Sequence, residues 1–349
     1  MAKPISFILL FLFPVAGVFS QTGGDNVYEF LNLTHSALES SLGGSNVSLT
    51  ERSAGLAWTN PAVLSRSMSG NAALSFTNYL GGVNYGMALY SHSSGKSAVI
   101  GGGISYLNYG SFTEADETGA INGSFMASEI SLGLIYSFHP DSMFSAGISF
   151  KPVISQLERY NSFGFAFDFG ASWHNPGNFL SAGLAIRNLG LQLTSYAGEA
   201  KAGLPLEVIA GFSARLRHAP FRFSLTMRHL EKFDLTHDYN ISDGEDETQS
   251  GDLSGNLLRH VVAGVEFFPH KNFWLSAGYN HQRRSELQSD LKSSGTGFSW
   301  GFGINAAVAE IEFGRASYHL AGASNTISVI LIPGRMFKKP EHQFSGSFR

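Results

Sequence analysis

Three stretches carry residue types capable of chemistry, and the surroundings argue against it in each. Gly297-Phe298-Ser299-Trp300-Gly301 matches GxSxG. In hydrolases that string raises a serine on a sharp strand-to-helix turn, so that its hydroxyl can attack an ester. Here Ser299 sits inside an alternating run, with Phe298 and Trp300 on the opposite face, and no such turn is predicted. Gly301-Phe302-Gly303-Ile304-Asn305-Ala306 matches GxGxxA, which cradles a pyrophosphate only where a helix follows; the strand pattern continues instead. Residues 231–256 gather Asp234, Asp238, Asp243, Glu245, Asp246, Glu247 and Asp252. A calcium-binding EF-hand loop needs Gly at its sixth position and Glu at its twelfth. Gly244 falls one place late after Asp238 and no Glu follows in step, so the stretch reads as a solvated loop.

The 12 His are scattered, without HExxH or another ligand spacing. His139, His218 and His270 fall in predicted tight turns. There is no Cys, which excludes disulfides, thiolate metal sites and a cysteine nucleophile. Asn32, Asn46, Asn122 and Asn240 open Asn-x-Ser/Thr strings, which are common by chance and name no function. No set of acid, base and nucleophile emerges. The expectation is no enzyme: no catalytic residue, no cofactor site and no metal site.

Charged residues make up 14% of the 349, against ~25% in a typical soluble domain. The formal net charge of −4 lacks the basic surface that a nucleic-acid binder needs. Lys3 followed by the apolar stretch 5–19 reads as a signal peptide, with small Val18 and Ser20 placing cleavage before Gln21. No other window approaches 18 apolar residues, so no helical membrane span is predicted.

From residue 71 the chain alternates with period two, as a strand with one apolar and one polar face does. In 163–173, Phe163, Phe165, Phe167, Phe169, Ala171 and Trp173 oppose Gly164, Ala166, Asp168, Gly170 and Ser172. Phe144, Ala146, Ile148 and Phe150 oppose Ser145, Gly147, Ser149 and Lys151; Phe221, Phe223, Leu225 and Met227 oppose Arg222, Ser224, Thr226 and Arg228. Fourteen such segments are predicted, near 71–79, 82–91, 97–107, 126–138, 142–154, 162–174, 178–189, 205–217, 220–230, 257–268, 271–281, 296–306, 308–318 and 325–333. Tight links recur at every second position, at His139–Asp141, Asn175–Gly177, His218–Ala219, Pro269–His270 and near Ala307. Long polar links near 155–161, 190–204, 231–256, 282–295 and 319–324 lie between them. That asymmetry is the mark of an outer-membrane barrel. The fold expected is all-β: a 14-stranded antiparallel transmembrane β-barrel over 71–333, both ends on the periplasmic side. Soluble sandwiches and propellers also alternate, but with shorter strands. Polar faces rich in Gly and Ser, with single charges at Asp168, Arg222, Arg228 and Glu266, suit a filled lumen better than an aqueous pore.

Residues 21–70 differ. Tyr28, Phe30, Leu31, Leu33 and Leu38 fall near helical spacing, Gly43-Gly44 would stop a short helix, and Pro61 after Asn60 could start another. This N-terminal segment either folds into the lumen as a plug or stays a periplasmic extension.

The same segment carries the most specific signal. Val27-Tyr28-Glu29-Phe30-Leu31-Asn32-Leu33, then Ser41-Leu42-Gly43-Gly44 and Asn60-Pro61-Ala62, with Asn78-Tyr79 and Asn84-Tyr85-Gly86, resembles the PorQ family of the Bacteroidetes type IX secretion system. The specific likeness covers about the first 90 residues. The wider group of PorV and FadL-like barrels shares the Gly-Gly and Asn-Pro-Ala skeleton and has fourteen strands. The resemblance implies a protein of the cell outer membrane with no catalytic role. It would scaffold the attachment complex by holding a PorZ-like surface protein, with PorU and PorV as further partners and outer-membrane lipid around it. Loops 108–125 and 231–256 are the expected partner contacts, by length and exposure. The alternative is a FadL-like transporter of hydrophobic small molecules, which would need an apolar cavity in the lumen and a kink or gap in the wall. One departure is the basic C-terminal tail, 334–349, where many such barrels end on an aromatic residue.

Overall fold

A computed structural model describes residues 26–333 except 51, 117, 178, 197–199, 236–252, 288–294, 307 and 320–321. The predicted signal peptide 1–20, the tail 334–349 and most of the acidic stretch 231–256 lie outside the described residues. The chain forms fourteen strands: β1 (Ala72–Asn78), β2 (Asn84–Ser94), β3 (Ala98–Ala115), β4 (Ile121–Phe138), β5 (Phe144–Leu157), β6 (Tyr160–His174), β7 (Leu180–Thr194), β8 (Glu207–Arg215), β9 (Phe221–Met227), β10 (Val261–His270), β11 (Phe273–Asn280), β12 (Phe298–Asn305), β13 (Ala309–His319) and β14 (Gly322–Leu331). Each pairs antiparallel with its neighbours, and β1 pairs with β14 from Ala72↔Leu331 to Asn78↔Asn325, closing the barrel. Closure leaves the wall no edge, the condition for a sheet in hydrocarbon.

The alternation read from sequence becomes an inside and an outside. Outward-facing Phe76, Leu134, Phe169, Leu225, Trp300 and Ile327 are each more than 40% exposed, while Ser105, Ser131, Ser149, Asp168, Arg222 and Thr226 are buried inward. An apolar surface running round a whole molecule is far larger than the patches a monomer presents to water. Lipid is the solvent that fits it. No helix among the described residues is long and apolar enough to span a bilayer.

Several predicted boundaries need correction. The link 108–125 is mostly strand: β3 and β4 run on together, Ser111↔Met126 to Ala115↔Ile121, after a bulge at Asn108/Ser111. Gly110 takes φ +87° at that bulge, a conformation open to glycine. The link 155–161 shrinks to Glu158-Arg159, because Leu157 pairs with Tyr160, and 319–324 shrinks likewise, because His319 pairs with Gly322. Two short helices were unforeseen. After the N-terminal α1 (Ala37–Ser41), α2 (Leu253–Arg259) occupies the predicted start of the tenth strand, and α3 (His281–Leu287) follows β11. Long links remain after β7, β9 and β11, at the end of the barrel opposite the chain's entry into β1.

Candidate functional site: the plugged lumen

Of the two places open to the N-terminal segment, the structure puts it inside the barrel. Residues 26–70 form short 3-10 turns around one helix, α1 (Ala37–Ser41), and nearly all are buried. Leu38, Leu42, Leu49, Leu56, Trp58 and Leu64 are 2% exposed or less and pack on the inward-facing Met87, Leu89, Val99, Ile135, Trp274 and Ile330. This sequestered apolar surface supplies the main force holding the plug.

Local polar bonds set its path. Gly43 and Gly44 end α1 with φ +99° and +96°, and the Gly44 amide donates to the Glu39 carbonyl at 2.9 Å. Asn46 Oδ1 accepts from the Ser48 and Leu49 amides at 3.0 and 3.1 Å. Asn60 caps the turn at Pro61–Val63 by accepting from the Ala62 amide at 3.1 Å, and its Nδ2 donates to the Val47 carbonyl at 2.8 Å. Asn60-Pro61-Ala62 is therefore a folding element of the plug. Glu39 is fully enclosed. It accepts from the Asn46 amide at 3.2 Å and from Thr59 Oγ1 at 3.1 Å, and burial raises its pKa to about 7.

The wall grips the plug through charge. Lys151 Nζ pairs with Asp168 and donates to the Trp58 carbonyl at 3.2 Å. Arg187 reaches Glu207 at 3.1 Å and the Leu31 carbonyl at 2.8 Å, and Arg228 meets the same Glu207 at 2.6 Å. From the plug, Arg52 reaches Glu266 at 3.1 Å, which Arg222 also contacts at 3.3 Å. Each single charge predicted on a polar face thus has an opposite partner. The sequence did not point to Arg52, Arg187 or Glu207, because their partners lie on other elements.

Where the wall lacks side chains, the plug backbone touches it. A Cβ on Gly278 would lie 2.3 Å from the Gly43 nitrogen. Opposite Asp168, β7 bulges: Phe167 pairs with Leu189 and Phe169 with Ile186, so Arg187 and Asn188 both point inward. Asn188 takes φ 59°, and its amide donates to Asp168 Oδ1 at 2.9 Å. The Asp168 carboxylate thus satisfies the Asn188 amide where the ladder shifts register, and the irregularity is a bulge, which kinks β7.

Two cavities open at the ends. One of ≈410 Å³ lies at the tight-turn end among Ser65, Arg66, Lys96, His139, Asp141 and His174. One of ≈300 Å³ lies at the loop end among Glu29, Arg228, His229, Gln282, Arg283 and Glu286. Both are polar, and the packed plug separates them. A third, apolar hollow of ≈410 Å³ sits on the outer wall, over Gly86 and Ala88 between Phe76, Ile104 and Tyr106.

The chemical motifs resolve into structure. Ser299 is 3% exposed, and its Oγ donates to the Ser41 carbonyl at 2.9 Å. Phe298 and Trp300 face outward, and Gly301 and Gly303 lie in the same strand. No group of three potential metal ligands occurs among the described residues.

No family model matches the sequence, and a search of curated proteins found no match. Solved structures do match. A monoaromatic hydrocarbon channel, a TodX deltaS2S3 mutant, aligns at TM-score 0.52 with 12% identity over 85% of this chain and 98% of its own. The toluene transporter TbuX of Ralstonia pickettii aligns at 0.52 with 10% identity over 86% and 98%. The CymD monoaromatic hydrocarbon channel aligns at 0.52 with 11% identity over 87% and 97%. The chain shares their fold. At these identities the likeness is one of architecture: a closed, fourteen-stranded barrel.

Proposed function

We propose that this protein is a plugged outer-membrane barrel that serves as a scaffold, holding a surface protein of a type IX secretion attachment complex at the membrane, and that it has no catalytic role. The packed lumen is the observation that carries this reading. Leu38, Trp58 and Leu64 fill the cross-section, and three groups of buried ion pairs bind plug or wall charges in place. A barrel committed to a rigid, filled interior is suited to presenting its outer end. The N-terminal resemblance to PorQ proteins names the class of partner, a large PorZ-like surface protein, with PorU and PorV beside it. The burial of Ser299 against Ser41 supports the absence of catalysis.

The second reading is a conduit for small hydrophobic molecules. The neighbours named as toluene and monoaromatic hydrocarbon channels favour it over the scaffold. The packed lumen and the polar cavities at both ends favour the scaffold.

A mild-detergent pulldown of the tagged protein from native outer membranes separates the two. Stoichiometric recovery of a large surface protein is expected. Recovery of the barrel alone, together with saturable binding of radiolabelled toluene or a fatty acid to the purified protein, would transfer the assignment to the conduit.

A further inference from the structure

β3 and β4 are each 18 residues long. At ~3.3 Å per residue and a tilt of ~40°, such a strand climbs about 45 Å, against a hydrocarbon core of about 30 Å. The pair therefore stands clear of the bilayer as a two-stranded ribbon, away from the chain's entry into the barrel.

The ribbon has an unpartnered edge. β4 pairs with β5 only from Ala127↔Leu157 inward, and the last bond on that side runs from the Glu158 amide to the Met126 carbonyl at 3.2 Å. Above the Glu158-Arg159 turn, residues 121–125 of β4 have β3 on one side and no strand among the described residues on the other. Ile121 is 74% and Met126 66% exposed, the highest values among the large hydrophobic residues described. Beside this edge lies an apolar cleft of ≈330 Å³ between Phe112, Phe125, Leu157 and Tyr160, with the rings of Phe112 and Phe125 stacked at 5.2 Å.

Free edges are ordinarily guarded by Lys, Pro or short length. Residues 108–127 hold no Lys, Arg or Pro; their charges are Glu114, Asp116 and Glu117. The chain's own long loop 231–256 is acidic and would be repelled. The complement of this edge is an extended segment carrying Lys or Arg and at least one large apolar residue.

We propose that residues 121–125 of β4 take up such a strand from a partner protein by β-augmentation, continuing the sheet where β5 ends, with an apolar side chain of the strand seated between Phe125, Leu157 and Tyr160. Main-chain bonds give affinity in this mode, and the cleft gives register. The proposal rests on the scaffold reading and locates its contact.

The test places a photo-crosslinking amino acid at Ile121 or Ser124 in cells, with Leu275 on the lipid-facing wall as control. The expected result is one protein adduct at both ribbon positions, mapped to a single basic, alternating segment. In the purified complex with that protein, the amides of 121–125 should exchange with deuterium at least tenfold more slowly than in the barrel alone. A partner recovered at wild-type level by Phe125→Asp, with unchanged exchange, would overturn the ribbon contact and leave the scaffold reading standing. Ribbon adducts to lipid alone, with no partner in the pulldown, would overturn both.

Discussion

Gly183 of β7 lies against the main chain of Val47: a Cβ at position 183 would fall 1.9 Å from the Val47 carbonyl oxygen. Backbone cannot yield as a flexible side chain can, so any larger residue must displace the plug or the wall. Gly183→Leu is expected to leave the outward face intact and the barrel inserted, while unseating residues 26–70. Trypsin should then cut after Arg52, now 15% exposed at its side chain. Gly102→Leu, whose added carbon meets nothing within 4 Å, is the control and should stay resistant. Equal resistance in both variants would mean that the plug can reseat without this contact.

Glu39 makes plug stability depend on pH. Burial raises its carboxyl from 4.5 to about 7, so the folded state binds this proton more tightly than the unfolded chain. Its contribution is greatest below pH 4.5 and is lost as pH rises through about 7, a change on the order of 3 kcal/mol. Buried His35 acts in the opposite sense, because its pKa is pushed well below 6.5 and acid must charge it at a cost. Comparison with Glu39→Gln isolates the carboxyl. The melting temperature of the variant should exceed that of wild type at pH 8 and match or fall below it at pH 5. A constant difference across that range would rule out a titrating Glu39.

The barrel was legible because its signal is local. Phe163 to Trp173 alternate with Gly, Ala, Asp and Ser whatever the rest of the chain does, and a strict period of two fixes both strand and face. The ribbon was missed because Asn108-Tyr109-Gly110 interrupts the period at a bulge, after which the strand resumes. α3 could have been read, since Gln282, Arg283, Arg284, Glu286 and Leu287 are good helix formers. The plug could not be placed. Its course depends on wall residues such as Gly183 and Gly278, more than a hundred positions away, and nothing near Val47 or Gly43 announces them. The same distance hid the pairing of Arg187 with Glu207: both lie on inward faces, but only the register of β7 with β8 sets them opposite each other.

Ser299 offers a direct check on the proposal that the protein has no catalytic role. Its hydroxyl donates to the Ser41 carbonyl, so Ser299→Ala removes one buried hydrogen bond between wall and plug. The expected cost is about 1 kcal/mol in stability, with partner recovery and any ligand binding unchanged. Loss of a cellular phenotype at normal insertion and normal melting temperature would reopen the hydrolase reading.

Lys151 and Asp168 form a fully buried pair that serves both wall and plug. Ser149 Oγ donates to Asp168 Oδ2 at 2.7 Å, the Asn188 amide donates to Oδ1 at 2.9 Å, and Lys151 donates onward to the Trp58 carbonyl. Removing one charge strands the other without water, a loss typically of ~3–5 kcal/mol, whereas removing both can be close to neutral. Lys151→Met and Asp168→Asn are each expected to lower stability by that amount. The double variant keeps an amide oxygen for Asn188 and should recover to within ~2 kcal/mol of wild type, a coupling that denaturant titration of all four proteins would measure. Strict additivity would mean that the carboxylate works as a hydrogen-bond acceptor for the β7 bulge and that the ammonium works separately as an anchor for Trp58. The plug and the wall irregularity would then be independent features and not one unit held by a shared charge.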